Sequence, residues 1–189
     1  RSEREAALLM TRDSDAVSRW DSAQDLATRL ILRLAADVRA GRPLRLDPVL
    51  REAWGHVLRE ESDPGFAALL LALPEENVLA AAMAPPVDLD AIVAAREFVT
   101  RELAAALRAD WQANYERLSS NEPYRADARS IACRRLRNLS LHYLASLGEP
   151  GVIDLVVRQV ARGASATDRL AALSILANTD CAERRPALL

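Results

Sequence analysis

The chain contains few side chains of the types that catalyse reactions or bind metal ions. Among its 189 residues, the histidines are His56 and His142 and the cysteines are Cys133 and Cys181. A metallohydrolase with the pattern His-Glu-x-x-His needs two histidines one helical turn apart, with a glutamate as general base. Neither histidine lies in such a pattern, and neither cysteine has a histidine within local reach in the sequence. We therefore interpret both histidines as structural and both cysteines as core residues, and predict no catalytic or metal site.

Arginines form the densest charged cluster. Arg134, Arg135 and Arg137 lie close together, but they lack the aromatic residues or glycine-rich loops that usually accompany phosphate or nucleic-acid binding. We interpret them as a solvated helix face. Arg137 and Asn138 have an alternative role as buried residues that hydrogen bond to neighbouring helix ends or loops. The net charge of −2 gives no electrostatic reason to expect nucleic acid or an anionic membrane as a partner.

Helical patterns run along most of the chain. Leu26, Leu30, Leu34 and Val38 recur every four residues and predict one apolar helix face. Aspartate followed by proline, at 47–48 and again at 63–64, is typical of a helix start. The apolar pattern of residues 88–118 predicts a long helix, either continuous or kinked. Further helices are predicted at 74–84, 126–146, 150–162 and 167–178.

These patterns predict an all-α fold, a helical bundle that passes into a HEAT- or armadillo-like α-solenoid. Residues 7–10 offer the one weak strand pattern. No apolar run is long enough to cross a membrane, and the charged first residues do not resemble a secretory signal. Two cysteines make no disulfide framework and suit a reducing compartment, so we expect a cytoplasmic protein.

Residues 13–24 resemble the start of the C-terminal helical domain in the bacterial aminopeptidase N family, which are zinc aminopeptidases of the gluzincin class. The positions that match the family pattern are Asp13, Ser14, Asp15, Arg19, Trp20 and Gln24. Further pieces of the pattern follow in the same order at residues 30–37, 72–75, 95–98, 124–125, 135–145 and 167–174. Their order along the chain makes the resemblance specific, although each piece alone is weak.

The resemblance implies that residues 14–189 are part of this helical domain and that residues 1–13 are a remnant of a preceding β-sandwich domain. Because that remnant would have no partner strand, we expect a short non-helical stub at the N-terminus. The intact enzyme would remove N-terminal residues from peptides with one zinc ion. Its helical domain would pack on the catalytic domain and enclose the substrate chamber. The catalytic and β-sandwich domains would then be the partners of this segment, with no nucleic acid and no membrane. The segment itself carries no cofactor and should be inactive alone.

We expect structural or interface roles for five side chains, Arg19, Trp20, Gln24, Arg137 and Asn138. We expect Arg19 to pair with an acid such as Asp15, or with one in a neighbouring domain, and Trp20 to anchor the domain junction. A surface that normally docks on other domains should leave apolar side chains exposed near Trp20 and at the C-terminal end. We therefore expect the isolated chain to self-associate or to be marginally stable. The alternative function is a free-standing α-solenoid that binds a peptide or protein, which the fold alone supports equally well.

Overall fold

The computed structural model describes residues 2–119, 124–163 and 165–187, and these residues form helices and no strands. The helices in chain order are α1 (Glu3–Arg12), α2 (Ala16–Arg39), α3 (Pro48–Glu60), α4 (Pro64–Leu71), α5 (Glu76–Ala82), α6 (Leu89–Ala106), α7 (Arg108–Leu118), α8 (Ala128–Ala145), α9 (Pro150–Arg162), α10 (Ala166–Ala177) and α11 (Arg184–Ala187). The predicted all-α class is confirmed.

No single helix in the described ranges combines the length and hydropathy needed to cross a membrane. Helices α4 and α5 meet that requirement only when taken together, and the chain bends by 48° between them.

The chain folds into two compact units. Unit 1 comprises Arg1–Glu61 and Leu69–Ala106, and unit 2 comprises Ser62–Ala68 and Leu107–Leu189. In unit 1, α2 packs against α1 and α6, and α1 also packs against α3. The predicted stripe of α2 faces this core, because Leu26, Leu30 and Leu34 are buried.

Aspartate caps start two helices as predicted, since Asp47 accepts a hydrogen bond from the N–H of Val49 in α3 and Asp63 accepts one from Gly65 in α4.

The N-terminal segment is helical, so the predicted non-helical stub was wrong. Ser2 and Glu5 form a reciprocal capping box, in which the N–H of Glu5 donates to Ser2 Oγ and the N–H of Ser2 donates to Glu5 Oε2. Ala6 and Met10, one helical turn apart, are both buried. The capping box and this helical spacing outweigh a weak strand pattern that has no partner strand to pair with. The division of the chain into domains at residue 13 stays a prediction.

The long apolar pattern of residues 88–118 forms two helices. Helix α6 ends at Ala106 and α7 starts at Arg108, with Leu107 between them in a non-helical conformation (φ −117°, ψ 25°). Asp88 precedes α6 as expected and accepts a hydrogen bond from the N–H of Ala91 at 3.0 Å. The apolar pattern is therefore continuous in the sequence, but the helix is interrupted at Leu107.

Unit 2 is built from helices that pack in neighbouring pairs. Helix α7 packs along α8, α9 packs along α10, and α8 contacts both α9 and α10. The rings of Trp111 in α7 and Tyr143 in α8 are stacked, with centroids 4.1 Å apart, and both side chains are buried. Helix α8 is followed by Gly148 in the left-handed conformation (φ 67°), as expected of a glycine at a helix end.

Candidate functional site

Arg19 connects the first three helices of unit 1. Its Nε donates to the carbonyl oxygen of Met10 near the end of α1 at 2.9 Å, and its Nη2 lies 2.8 Å from the carboxylate of Glu61, the residue that follows α3. The predicted pairing with Asp15 was wrong, because Asp15 caps α2 by accepting from the N–H of Ser18 at 2.7 Å. Asp15 is thus already engaged, and Arg19 reaches an acid that is distant in sequence.

Trp20 lies one position further along α2, on the solvent side. Its side chain is 44% exposed, and Val17, one turn earlier, is 71% exposed. Two apolar side chains a turn apart on one helix face form a small exposed patch, which we call the α2 patch. Exposed apolar surface therefore exists near Trp20, and its predicted function as a domain anchor stays a prediction.

Gln24 binds the backbone segment that follows α4. Its Nε2 donates to the carbonyl oxygen of Ala72 at 3.1 Å, and Trp54 Nε1 in α3 donates to the preceding carbonyl, that of Leu71, at 3.2 Å. The last carbonyl groups of a helix have no partner within the helix. The two side chains supply those partners from α2 and α3.

Arg96 in α6 holds the same segment from another side. Its Nε donates to the carbonyl oxygen of Pro74 at 2.9 Å, and its Nη1 lies 3.1 Å from the carboxylate of Glu76. Gln24, residues 72–75 and Arg96 belong to three separate pieces of the family pattern. The structure brings all three into one contact region, which we call the carbonyl cluster.

Two further pieces of the family pattern meet in unit 2. Asp168, in the first turn of α10, is fully buried, and its Oδ1 accepts from Asn138 Nδ2 at 3.0 Å and lies 2.7 Å from Arg137 Nη2. Both partners are on α8. Arg137 and Asn138 therefore reach the N-terminal end of a neighbouring helix, whereas Arg134 and Arg135 are partly or fully exposed.

Ser165 and Gln159 complete this buried group. Ser165 Oγ donates to Asp168 Oδ2 at 2.8 Å, and Gln159 Nε2 donates both to Asn138 Oδ1 and to the carbonyl oxygen of Asp168, each at 2.9 Å. Burial alone raises the pKa of Asp168, but hydrogen bonds from Ser165, Arg137 and Asn138 outweigh this effect and leave its pKa lowered. We call these five side chains the Asp168 cluster.

Sequence reasoning missed Ser165 and Gln159. Ser165 was detectable, because serine followed three residues later by an acid is a helix-start signature. Gln159 gave no such signal, since its partners Asn138 and Asp168 become neighbours only after α8, α9 and α10 have packed together.

A cleft of about 1040 Å³ lies beside this cluster in unit 2. Arg137 and Asp168 contribute to its wall, and Arg137 Nε is buried with no hydrogen-bond partner in the described structure. The charged side chains around the cleft are Arg117, Arg125, Arg129, Arg134, Arg137, Asp63, Asp127 and Asp168. Among the described residues of the wall, five arginines thus outnumber three aspartates.

The histidines and cysteines are dispersed. His56 is partly buried in α3, and His142 is exposed in α8 with its ring edge-on to that of Tyr143 at 5.9 Å. Cys133 and Cys181 are free thiols of intermediate exposure, so their predicted core placement was wrong. Within the described ranges, no three His, Cys, Asp or Glu side chains lie together in a way that could hold a metal ion. The residues of these ranges therefore offer no set of zinc ligands.

The sequence matches a known domain family along almost its whole length. The profile of the domain of unknown function DUF3458_C, described as ARM repeats, matches residues 3–189. The chain belongs to this ARM-repeat family. The predicted armadillo-like solenoid is confirmed, since the family is one of helical repeats and the described residues form helices without strands.

The chain is also similar to one region of larger peptidases. It is 37% identical to aminopeptidase N of Escherichia coli over 179 residues, which is 92% of this chain and 20% of that protein. It is 35% identical to aminopeptidase N of Haemophilus influenzae over 83% of this chain and 18% of that protein. The predicted relationship to bacterial aminopeptidase N is confirmed, and the chain spans about a fifth of the length of these relatives.

A solved structure shares the fold. The crystal structure of Legionella pneumophila aminopeptidase A in complex with aspartic acid superposes with a TM-score of 0.83 and 23% identity. The match covers all of this chain and 23% of the other. The fold is therefore that of one helical part of a larger protein.

Proposed function

We propose that the chain is the first part of the C-terminal helical domain of a zinc aminopeptidase, an enzyme that removes N-terminal residues from peptides. One observation carries the proposal, the alignment of 92% of this chain with only 20% of Escherichia coli aminopeptidase N. In the parent enzyme, one zinc ion and the reacting groups would belong to a catalytic domain outside this segment. The parent would be cytoplasmic, in keeping with the two free cysteines.

In the parent enzyme, this segment would form part of the wall of the chamber. Side chains that carry the family pattern bond inside the units, as Gln24 does with Ala72 and Asn138 does with Asp168. Residues used in this way fix the positions of helices. The segment would pack on the catalytic and β-sandwich domains of the same chain and help to enclose the peptide chamber. The α2 patch is the candidate surface for one of these contacts.

The reading frame that encodes this chain tests the proposal directly. We expect an upstream His-Glu-x-x-His pattern in the same frame, followed by a glutamate that acts as third zinc ligand. A start codon close to Arg1 with no such pattern upstream would contradict the proposal and leave a free-standing helical scaffold as the better account.

The purified chain tests the non-catalytic assignment. We expect it to release no p-nitroaniline from an alanyl anilide after incubation with zinc, while Escherichia coli aminopeptidase N serves as the positive control. Turnover that a chelator abolishes, and that copurifies with the chain, would show that the reacting groups lie in this segment after all.

A further inference from the structure

Three arginines line the cleft of unit 2 without an acidic partner among the described residues. Arg125 lies 3.0 Å from Asp127, and Arg137 lies 2.7 Å from Asp168. By contrast, no carboxylate of the described residues lies within ion-pair distance of the remaining arginines of the wall. These are Arg117, Arg129 and Arg134, which we call the arginine triplet.

The triplet is partly fixed in position. Arg134 Nη1 donates to the carbonyl oxygen of Arg125 at 2.8 Å, and its guanidinium carbon lies 4.8 Å from the centre of the Tyr124 ring. Arg117 donates to the side-chain oxygen of Asn114. These contacts orient the side chains while leaving their charge unneutralised, which favours an anionic ligand.

The type of anion follows from the backbone around the cleft. Helices α4 and α8 both begin at its wall, and free N–H groups at helix starts are what phosphate sites commonly use. Here Asp63 Oδ1 accepts from the N–H groups of Gly65 and Phe66, and Asp127 Oδ1 accepts from that of Ser130. Both helix starts are thus occupied by the chain's own carboxylates. A phosphate would therefore lack the backbone donors that its sites commonly use.

We propose that the cleft binds an acidic peptide segment whose carboxylates pair with the arginine triplet. Carboxylates spaced along a peptide can each reach one guanidinium, and paired N–H donors match the two oxygens of a carboxylate. The volume of about 1040 Å³ is at the upper end of ligand pockets, which run to about 1,000 Å³, and so exceeds what a single small ion needs. This inference goes beyond the proposed peptidase role, because it concerns binding by this chain alone.

Fluorescence anisotropy of a labelled peptide of alternating Glu and Ser tests the proposal on the full chain. The same peptide with Gln in place of Glu is the matched ligand control. We expect the Glu peptide to bind and the Gln peptide not to bind, with affinity that falls as salt rises. The triple variant R117Q/R129Q/R134Q should lose affinity by about tenfold or more, since each charge-assisted pair is lost.

A second triple variant separates this site from the overall charge of the protein. Arg45, Arg51 and Arg101 are exposed residues of unit 1, so R45Q/R51Q/R101Q changes the net charge equally. It should bind the Glu peptide within about twofold of the original chain, as expected for distant, screened charges. Arg129→Gln alone removes one exposed side chain in the first turn of α8 and keeps the test valid if the triple variant unfolds.

Three outcomes would overturn the proposal. Equal binding of the Glu and Gln peptides would exclude carboxylate recognition. Equal losses in the two triple variants would show that only net charge matters. Displacement of the peptide by inorganic pyrophosphate at lower concentration than by unlabelled Glu peptide would identify a phosphate site instead.

Discussion

Asn138 Nδ2 donates a hydrogen bond to Asp168 Oδ1 at 3.0 Å, which connects the middle of α8 to the first turn of α10. The same carboxylate oxygen contacts Arg137, so one buried acid holds two adjacent side chains of α8. A buried charge of this kind stabilises only while its partners are present, because an isolated charge in the interior is costly.

Replacing Asp168 by asparagine should destabilise unit 2 strongly. Asp168→Asn keeps the side-chain size but removes the counter-charge of Arg137, whose side chain is only 13% exposed. Breaking a buried ion pair typically costs about 3–5 kcal/mol. Urea unfolding followed by circular dichroism measures this loss. Asp154→Asn, an exposed position on α9, should change the free energy of unfolding by no more than about 0.5 kcal/mol. Equal stability of the two variants would exclude a structural role for the Asp168 carboxylate.

The free energy of unfolding should fall at acidic pH because of Asp168. The pKa of Asp168 is lowered in the folded chain, against about 3.9 for an ordinary aspartate. Its contribution is therefore complete above about pH 4 and is lost as the pH falls through the lower, folded-state pKa. Asp127 acts in the same direction, since hydrogen bonds from the N–H and hydroxyl of Ser130, and then from Arg125, lower its pKa to about 2.

Urea midpoints between pH 7 and pH 2 test this sign, with Asp168→Asn as the comparison. The variant should lose less stability than the original chain on acidification, because it has no proton to bind at this position. Parallel decline of the two proteins would assign the acid sensitivity to other carboxylates.

Replacing Arg96 by lysine should lower the free energy of unfolding. Arg96→Lys keeps the charge but cannot donate in the same geometry to the carbonyl of Pro74 and the carboxylate of Glu76, so we expect a loss of about 1–2 kcal/mol. Arg101→Lys is the matched control, since Arg101 is exposed on the same helix. Chemical denaturation of both variants decides the matter, and a similar small effect at both sites would mean that charge alone suffices at Arg96.

Gly163 should not tolerate alanine, whereas Gly151 should. A Cβ at Gly163 would lie 2.6 Å from the carbonyl oxygen of Gln159 and 2.9 Å from Arg169 Cγ, while one at Gly151 would meet nothing within 4 Å. We expect Gly163→Ala to lower thermal stability, with a cost of about 1–3 kcal/mol from overpacking. Gly151→Ala, within the first turn of α9, should be neutral or slightly stabilising. A stable Gly163→Ala protein would show that the backbone there yields easily.

The isolated chain should self-associate through the α2 patch. Exposed apolar surface favours association, and Trp20 offers the largest apolar side chain of the patch. Trp20→Glu should shift the sedimentation profile toward monomer and remove the concentration dependence of melting. Val93→Glu, which replaces a residue 40% exposed on α6, is the control and should not. A sharp melt of the original chain that is the same at all concentrations would contradict this prediction.

Much of the fold followed from local signals. Asp47 and Pro48 marked the start of α3, and the four-residue spacing of Leu26, Leu30 and Leu34 located the buried face of α2. The break at Leu107 was not predictable, because leucine favours helices and no glycine or proline stands there. That break depends on packing, which one sequence does not reveal.

The sequence indicated which residues are candidates, but it did not predict which atoms their side chains contact. The family pattern selected Arg19, Gln24 and Asn138, but their partners lie far away in the sequence. Arg19 is an example. Asp15, four residues earlier, was its expected partner, but Asp15 caps α2 instead. Local chemistry could assign Asp15 either role, and only the placement of Glu61 beside Arg19 decides between them.

The Asp168 cluster sets a limit on how far the chain can be shortened. A protein that ended before α10 would keep α8, with the guanidinium of Arg137 and the amide of Asn138 still facing inward, but would lose the carboxylate that both of them contact. Gln159 would lose the carbonyl oxygen of Asp168 as well. Truncation at that point would therefore damage the helices that remain, and the smallest autonomous version of this half must extend past Asp168.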